Sequence, residues 1–206
     1  MSGFITIAII AFLAALSPGP DFVVIAKNAI AHSRRAGIFS SIGIGVGILF
    51  HSSYCVLGLA VIITHSLLVF SAIKYIGALY LIYLGVKALF AKKGGKMLNP
   101  AKAKTTLSAG KAFQQGLLTN VLNPKCTLFM LSVFTLVIHP GLSYGTQALY
   151  GMEIALITAL WFVVLSVMLT HKTVKTKLDK VQHWVTKIMG VFLIGFGIEV
   201  ALLHRH

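Results

Sequence analysis

Three of the ionisable residues in long apolar runs, where a charged side chain is costly, are candidates for chemistry. They are Asp21, Lys125 and Glu153, in a chain with only 4 Asp+Glu among 206 residues. At the middle of a bilayer such a side chain costs about 2.5–3.5 kcal/mol on insertion scales, so it tends to face the protein interior and to pair. All three are candidates for binding a charged ligand or carrying a proton. The structural alternatives are a helix N-cap for Asp21 and a water-exposed boundary position for Glu153.

Two proline-centred breaks lie beside Asp21 and Lys125. The first is Ser17-Pro18-Gly19-Pro20 and the second is Asn120-Val121-Leu122-Asn123-Pro124. Proline removes a backbone donor and clashes with the preceding turn. A plain kink is one interpretation; a full break would free carbonyls that attract an ammonium group and create a helix N-terminus that attracts a carboxylate. The predicted ligand-binding residues are Ser17, Pro18, Gly19, Pro20, Asp21, Asn120, Asn123, Pro124 and Lys125. The predicted proton-coupling residues are Asp21 and Glu153.

Six apolar runs must position these residues. The chain is 57% hydrophobic with a mean hydropathy of +0.91, and each run is long enough, or nearly so, to cross a bilayer. The runs cover roughly 4–30, 38–64, 70–90, 113–138, 147–170 and 188–203. The sequence therefore predicts an all-α integral membrane protein with six transmembrane helices, of which helices 1 and 4 are broken. Because only short loops remain, we expect a single domain, residues 1–206.

The basic residues indicate how the chain crosses the membrane. The net charge is +14, and most of the 18 Lys+Arg lie around 31–37, 87–111 and 171–187. The stretches 65–71 and 139–146 carry no charged residue. By the positive-inside rule the three basic loops are cytoplasmic and both termini are outside. The same rule explains the charge without a nucleic-acid partner; lipid is the expected surrounding.

A weak internal repeat relates the two halves of the chain. The breaks at Pro18 and Pro124 occupy matching places, and Ile76-Gly77 of helix 3 resembles Met189-Gly190 of helix 6. Three helices in each half would place the second half upside down relative to the first. Broken helices at matching positions of such an inverted repeat are typical of transporter binding sites. The predicted division is repeat 1 at about 1–91, a cytoplasmic linker at about 92–110 and repeat 2 at about 111–206.

Two further patterns concern helix surfaces. Residues 172–187 place apolar residues at spacings of three and four, which predicts an amphipathic helix on the inner membrane surface leading into helix 6. Gly43 and Gly47, with Ser40 one turn earlier, give helix 2 a face of small residues. Such a face favours close helix packing within the chain, and it could also serve a homodimer.

The motifs resemble those of a known family. Ser17-Pro18-Gly19-Pro20-Asp21-Phe22 and Gly116-Leu117-Leu118-Thr119-Asn120-Val121-Leu122-Asn123-Pro124-Lys125 are similar to signatures of the lysine-exporter (LysE-type) superfamily, most of all its homoserine/threonine-resistance branch. The resemblance covers the whole chain. It implies proton-motive-force-driven efflux of amino acids through the bacterial inner membrane, and no enzymatic activity is expected. Members of the superfamily move basic, small neutral or branched-chain amino acids, and the branch favours small neutral ones such as threonine and homoserine. The resemblance also implies that residues 17–21 and 120–125 form the site, with Glu153 in the family's fifth helix.

Other function classes fit the residues less well. A metal or inorganic-ion exporter on a related scaffold would need several N or S ligands together, yet among 8 His only His51 is clearly inside an apolar run. The two cysteines, Cys55 and Cys126, lack metal-ligand spacing. An embedded enzyme would need a catalytic motif, and none is present. A non-transporting membrane scaffold stays open, and it predicts that Asp21 and Lys125 tolerate replacement. The sequence predicts no cofactor and no metal.

Overall fold

The computed structural model describes residues 2–17, 19–65, 67–90, 106–137, 142–170 and 172–202. These residues form α-helices joined by short connections, as the sequence predicts, with one π-helical turn at Asn28–His32. The helices are α1 Ser2–Leu16, α2 Pro20–Lys27, α3 Arg34–His65, α4 Leu67–Leu89, α5 Ala109–Val121, α6 Pro124–Val137, α7 Tyr144–Leu169 and α8 Lys172–Leu202. Pro18 and most of the predicted linker lie outside the described residues.

Both predicted breaks are present. The axes of α1 and α2 differ by 60°, and those of α5 and α6 by 59°. Pro20 and Pro124 are each the first residue of the helix after the break. A proline is tolerated there because the first turn of a helix has no intrahelical acceptor for its N–H. The prolines therefore start the second half-helix rather than bend a continuous one.

Three helices are long and apolar enough to cross a membrane unaided, within α3, α4 and α7. Each bent pair also qualifies as one span, which brings the number to as many as five among the described residues. The sixth predicted run, 188–203, lies in α8 as far as Leu202, and its last residue is outside the described residues. That helix is continuous from Lys172 to Leu202. The predicted surface helix at 172–187 is therefore the first part of a longer helix and not a separate element.

The small residues of α3 pack against α5. A Cβ atom on Gly43 would overlap the main-chain oxygen of Phe113, and one on Gly116 would overlap that of Ser40. The Ser40 hydroxyl also donates to the main-chain oxygen of Ala112 at 2.9 Å. Such close approach between backbones is possible only where side chains are absent or small. The face predicted for close packing or for a homodimer is thus used within the chain.

Pairs of contacts define the relative directions of the helices. Phe4 packs on Tyr150 and Phe12 on Trp161, with ring centroids 4.6 and 5.5 Å apart, so α1 and α7 run parallel. The Ser41 and Ser166 hydroxyls are 3.2 Å apart, and Gly151 lies against Ser52. Helices α3 and α7 are therefore antiparallel.

Glycine contacts orient a second helix pair. Gly85 of α4 lies against Gly190, and Gly197 lies against Ala78, so α4 and α8 are antiparallel. Helix α5 runs parallel to α3, because Gly116 lies at Ser40 and the Asn120 side chain lies at Gly47. The start of α3, the start of α5 and the end of α7 consequently share one side of the bundle. Arg34, Arg35 and Lys111 are exposed on this side.

Candidate functional site

The two breaks meet at a cavity of about 50 Å³ inside the bundle. Six of the nine predicted ligand-binding residues line it: Ser17, Gly19, Asp21, Asn120, Asn123 and Lys125. Pro20 and Pro124 are exposed and do not line it, because they start α2 and α6. Residues from breaks about one hundred positions apart in the sequence therefore form one polar wall.

Lys125 links the second break to the first. Its ammonium group donates to the main-chain oxygen of Ser17 at 3.0 Å and to the Ser17 hydroxyl at 2.8 Å. Ser17 follows the last residue of α1, where main-chain carbonyls lack helical donors. A cation is favoured at this end by the helix dipole. The carbonyl freed by the first break is thus occupied by a cation from the second.

Asp21 lies in the first turn of α2. Its Oδ2 accepts a 2.9 Å hydrogen bond from the Asn120 amide. Its Oδ1 is buried and has no hydrogen-bond partner among the described residues. The N-cap of α2 is Gly19, so Asp21 does not act as the cap, although its charge suits the positive end of the helix dipole. Burial without a partner is expensive for a carboxylate oxygen, so a ligand that donates a hydrogen bond to Oδ1 would be favoured beside this residue of the cavity wall.

Asn120 and Asn123 organise the second break. The Asn120 main-chain oxygen accepts from His51 Nε2 at 3.0 Å, while its side chain binds Asp21. Asn123 Oδ1 accepts from the Lys125 main-chain N–H at 3.0 Å, which satisfies an otherwise unpaired donor at the start of α6. The two amides therefore hold the break open and set the positions of Asp21 and Lys125.

His51 is buried between α3 and the second break, with 2% of its surface exposed. A carbonyl can only accept, so the His51 Nε2 that faces Asn120 must carry the proton. In the neutral ring Nδ1 then accepts from the Tyr54 hydroxyl, 2.6 Å away. In the sequence His51 is a lone polar residue in an apolar run. Its hydrogen bonds indicate that it supports the second break.

The remaining walls of the cavity are mostly apolar, and the residue pattern of the sequence does not predict them. Residues one turn apart on α7 form one wall, and the start of α6 forms another. The further lining residues are Ala11, Ala14, Ala15, Ile48, Cys126, Phe129, Met130, Ile154, Thr158 and Phe162. In an apolar helix nothing in the residue types separates a cavity wall from a lipid-facing surface, because both are hydrophobic.

Glu153 does not line this cavity. It precedes the lining residue Ile154 and is partly exposed, and its Oε2 is buried with no hydrogen-bond partner among the described residues. Within the described ranges no three His, Cys, Asp or Glu side chains lie close enough together to hold a metal ion. The polar centre of the bundle is therefore the Asp21–Asn120–Lys125 wall.

Long apolar helices and two bent helix pairs, which surround a cavity with one polar wall, define a helical membrane protein with an internal cavity. The model of the LysE type translocator family matches residues 12–204. The chain belongs to this family, which confirms the resemblance that its two motifs indicate.

The relatives share nearly the full length of the chain. The uncharacterized membrane protein YrhP of Bacillus subtilis (strain 168) is 34% identical over 94% of this chain and 95% of its own. The threonine efflux protein of Escherichia coli (strain K12) is 31% identical over 97% of both chains. A leucine efflux protein of Salmonella choleraesuis (strain SC-B67) is 32% identical over 91% of this chain and 89% of its own. No solved structure matches the chain significantly.

Proposed function

We propose that this protein exports small neutral amino acids from the bacterial cytoplasm across the inner membrane. The observation that carries the proposal is the polar wall of the cavity. Asp21, whose Oδ1 is buried with no hydrogen-bond partner among the described residues, and Lys125, which carries an ammonium group, both belong to it. An amino acid carries one ammonium and one carboxylate group, so each of its charges has an opposite charge on this wall.

Three residues take distinct roles in the proposed site. Asp21 receives the substrate ammonium on Oδ1, Lys125 attracts the substrate carboxylate, and Asn120 holds Asp21 in place through its amide. Lys125 must loosen one of its two bonds to Ser17 to reach the carboxylate. The apolar walls then surround the side chain, which fits a neutral rather than a charged substrate. Relatives named for threonine efflux and for leucine efflux are consistent with this class.

The same residues suit coupling to the proton motive force. Asp21 is the first proposed proton carrier, because protonation would remove its charge and release the substrate ammonium. Glu153, beside the cavity wall at Ile154, is the second, and its partly buried carboxyl has an unpaired oxygen. Inward proton movement would thus alternate with outward substrate movement.

The proposed architecture is a six-span bundle built as a 3+3 inverted repeat. Nearly equal bends of 60° and 59° support it, as do the parallel and antiparallel directions of the helix pairs. In this arrangement α8 supplies the sixth span, and the exposed Arg34, Arg35 and Lys111 mark the cytoplasmic side. Alternating access would be a movement of one repeat against the other around the breaks.

The deciding experiment is efflux of a panel of radiolabelled amino acids from cells that express the protein, with and without a protonophore. We expect efflux of threonine and homoserine above that of vector controls, and its loss on addition of the protonophore. Efflux that persists with the protonophore would contradict coupling to the proton motive force and would leave the proposed substrate class standing. Absence of any amino-acid flux from well-expressed protein would overturn the proposal in favour of an ion exporter or a scaffold.

A further inference from the structure

One hydroxyl in the cavity, that of Thr158, has no hydrogen-bond partner among the described residues. Helix α7 contributes three residues to the wall, each one turn from the next: Ile154, Thr158 and Phe162. Thr158 has only 7% of its surface exposed. Its hydroxyl makes no hydrogen bond with any other residue in the part of the chain that the structure describes.

Other buried hydroxyls of the bundle behave differently. Ser166, two turns further along α7, donates to the main-chain oxygen of Phe162 at 2.7 Å. On α3, Ser41 and Ser52 donate to main-chain oxygens four residues back, both at 2.9 Å. This bond to the preceding turn is the usual way to satisfy a hydroxyl inside a helix. Thr158 does not make this bond to the preceding turn, so its hydroxyl is available to a ligand in the cavity.

The position of Thr158 defines which part of a ligand it would meet. The charged and amide groups of the cavity all come from the two breaks, whereas Thr158 lies on α7 between apolar neighbours. A zwitterion held at the breaks would extend its side chain away from them, toward the apolar walls. Thr158 supplies a lone hydrogen-bonding group to that part of the cavity.

We propose that Thr158 recognises the side-chain hydroxyl of the substrate and makes the protein prefer threonine, homoserine or serine over apolar amino acids of the same size. This inference rests on the proposed function and names the substrate class within it. A site that offers a hydrogen bond disfavours an analogue that lacks the hydroxyl, because the site's own polar group is then left unpaired. A single neutral hydrogen bond contributes about 0.5–1.5 kcal/mol, which corresponds to a preference of roughly 2- to 13-fold.

Threonine and valine are the matched substrates for a test, since they differ by a hydroxyl in place of a methyl group. Efflux of both is measured in competition for the native protein, Thr158→Val and Thr158→Ser. We expect the native protein and Thr158→Ser to prefer threonine, and Thr158→Val to lose about 2- to 13-fold of that preference while it still exports valine. Thermal stability in detergent checks that both variants are folded.

The outcomes separate this inference from the proposed function. An unchanged threonine-to-valine ratio in Thr158→Val, with both amino acids exported, would overturn the role of Thr158 and leave amino-acid export standing. An equal loss of both substrates in Thr158→Val and Thr158→Ser would indicate a packing role and also overturn it. Absence of any amino-acid flux from the native protein would overturn both.

Discussion

The carboxylate of Asp21 and the ammonium group of Lys125 line one cavity, yet each has a partner of its own. Asp21 is held by the Asn120 amide and Lys125 by Ser17. A direct ion pair would satisfy both charges and leave little for a ligand to gain. Separate partners keep opposite charges available on the same wall, which is the arrangement that a zwitterionic substrate requires.

The contribution of the Asp21 charge to transport can be tested separately from that of its side-chain shape. Asp21→Asn keeps the size of the side chain and an oxygen for Asn120, but it removes the negative charge. Because a hydrogen bond to a charged group contributes about 1.5–3 kcal/mol, we expect substrate exchange and proton-driven efflux to fall roughly 10- to 150-fold. The measurements are exchange of labelled threonine across proteoliposomes and efflux driven by an imposed pH gradient.

Glu153→Gln is the matched control for this experiment. If Asp21 alone binds the substrate, Glu153→Gln retains exchange, because Glu153 does not line the cavity. Loss of proton-driven efflux with intact exchange in Glu153→Gln would assign the proton to Glu153. Intact exchange in Asp21→Asn would contradict the proposed binding role of Asp21.

The polar half of the site was predictable from the sequence, and the apolar half was not. Asp21 and Lys125 are conspicuous because charges are costly in an apolar run, and the adjoining prolines indicate broken helices. Ile154 and Phe162 are cavity residues only because of how α7 is rotated about its axis, and that rotation is set by packing against α1 and α3. For Glu153 the opposite holds. Its charge in an apolar run predicts a site residue, but the rotation of α7 places it away from the cavity wall.

At the level of elements, the contact between α3 and α5 supports the second break. Gly43, Gly47 and Gly116 allow the two helices to approach until main-chain atoms touch. This approach brings His51 within 3.0 Å of the Asn120 carbonyl. The position of the site therefore depends on glycines that are not part of it.

Gly116→Ala tests this dependence. A methyl group there would overlap the Ser40 carbonyl, which is main chain and cannot rotate away, and overpacking of this kind costs about 1–3 kcal/mol. We expect a lower thermal unfolding temperature in detergent. Gly110→Ala, in the same helix but with nothing within 4 Å of the added atom, should match or slightly exceed the native stability, because alanine is the better helix former. Equal stability of the two variants would contradict the close fit.

The broken helices and small faces could be predicted from local residue types, but the extent of α8 could not. The residues from 172 to 187 have the pattern of a surface helix, and a change of direction before the last apolar run is a reasonable expectation. No proline lies near Lys187, however, and Gly190 does not interrupt the helix, which continues to Leu202. Amphipathic spacing identifies a helix and its faces but not where it bends.

For the whole molecule, the proposed topology can be tested with introduced cysteines. Ser108 precedes α5 and Ser143 precedes α7, and both are exposed. Cys55 and Cys126 are buried, so the native background should be low. We expect a membrane-impermeant maleimide to label Ser143→Cys in intact cells and Ser108→Cys only after the cells are opened. Labelling of both variants in intact cells would rule out the proposed crossing pattern.

Asn28 shows how the two halves depend on each other. It begins the π-helical turn and is fully buried. Its amide donates to the Ser40 hydroxyl at 2.8 Å and to Gln115 Oε1 at 3.0 Å, a partner 87 residues later in the chain. At about 5–20 residues per second of synthesis, Gln115 arrives roughly 4–17 s after Asn28. During that interval the Asn28 NH2 group in the nascent first half lacks one of its two acceptors, and the arrival of α5 supplies that acceptor.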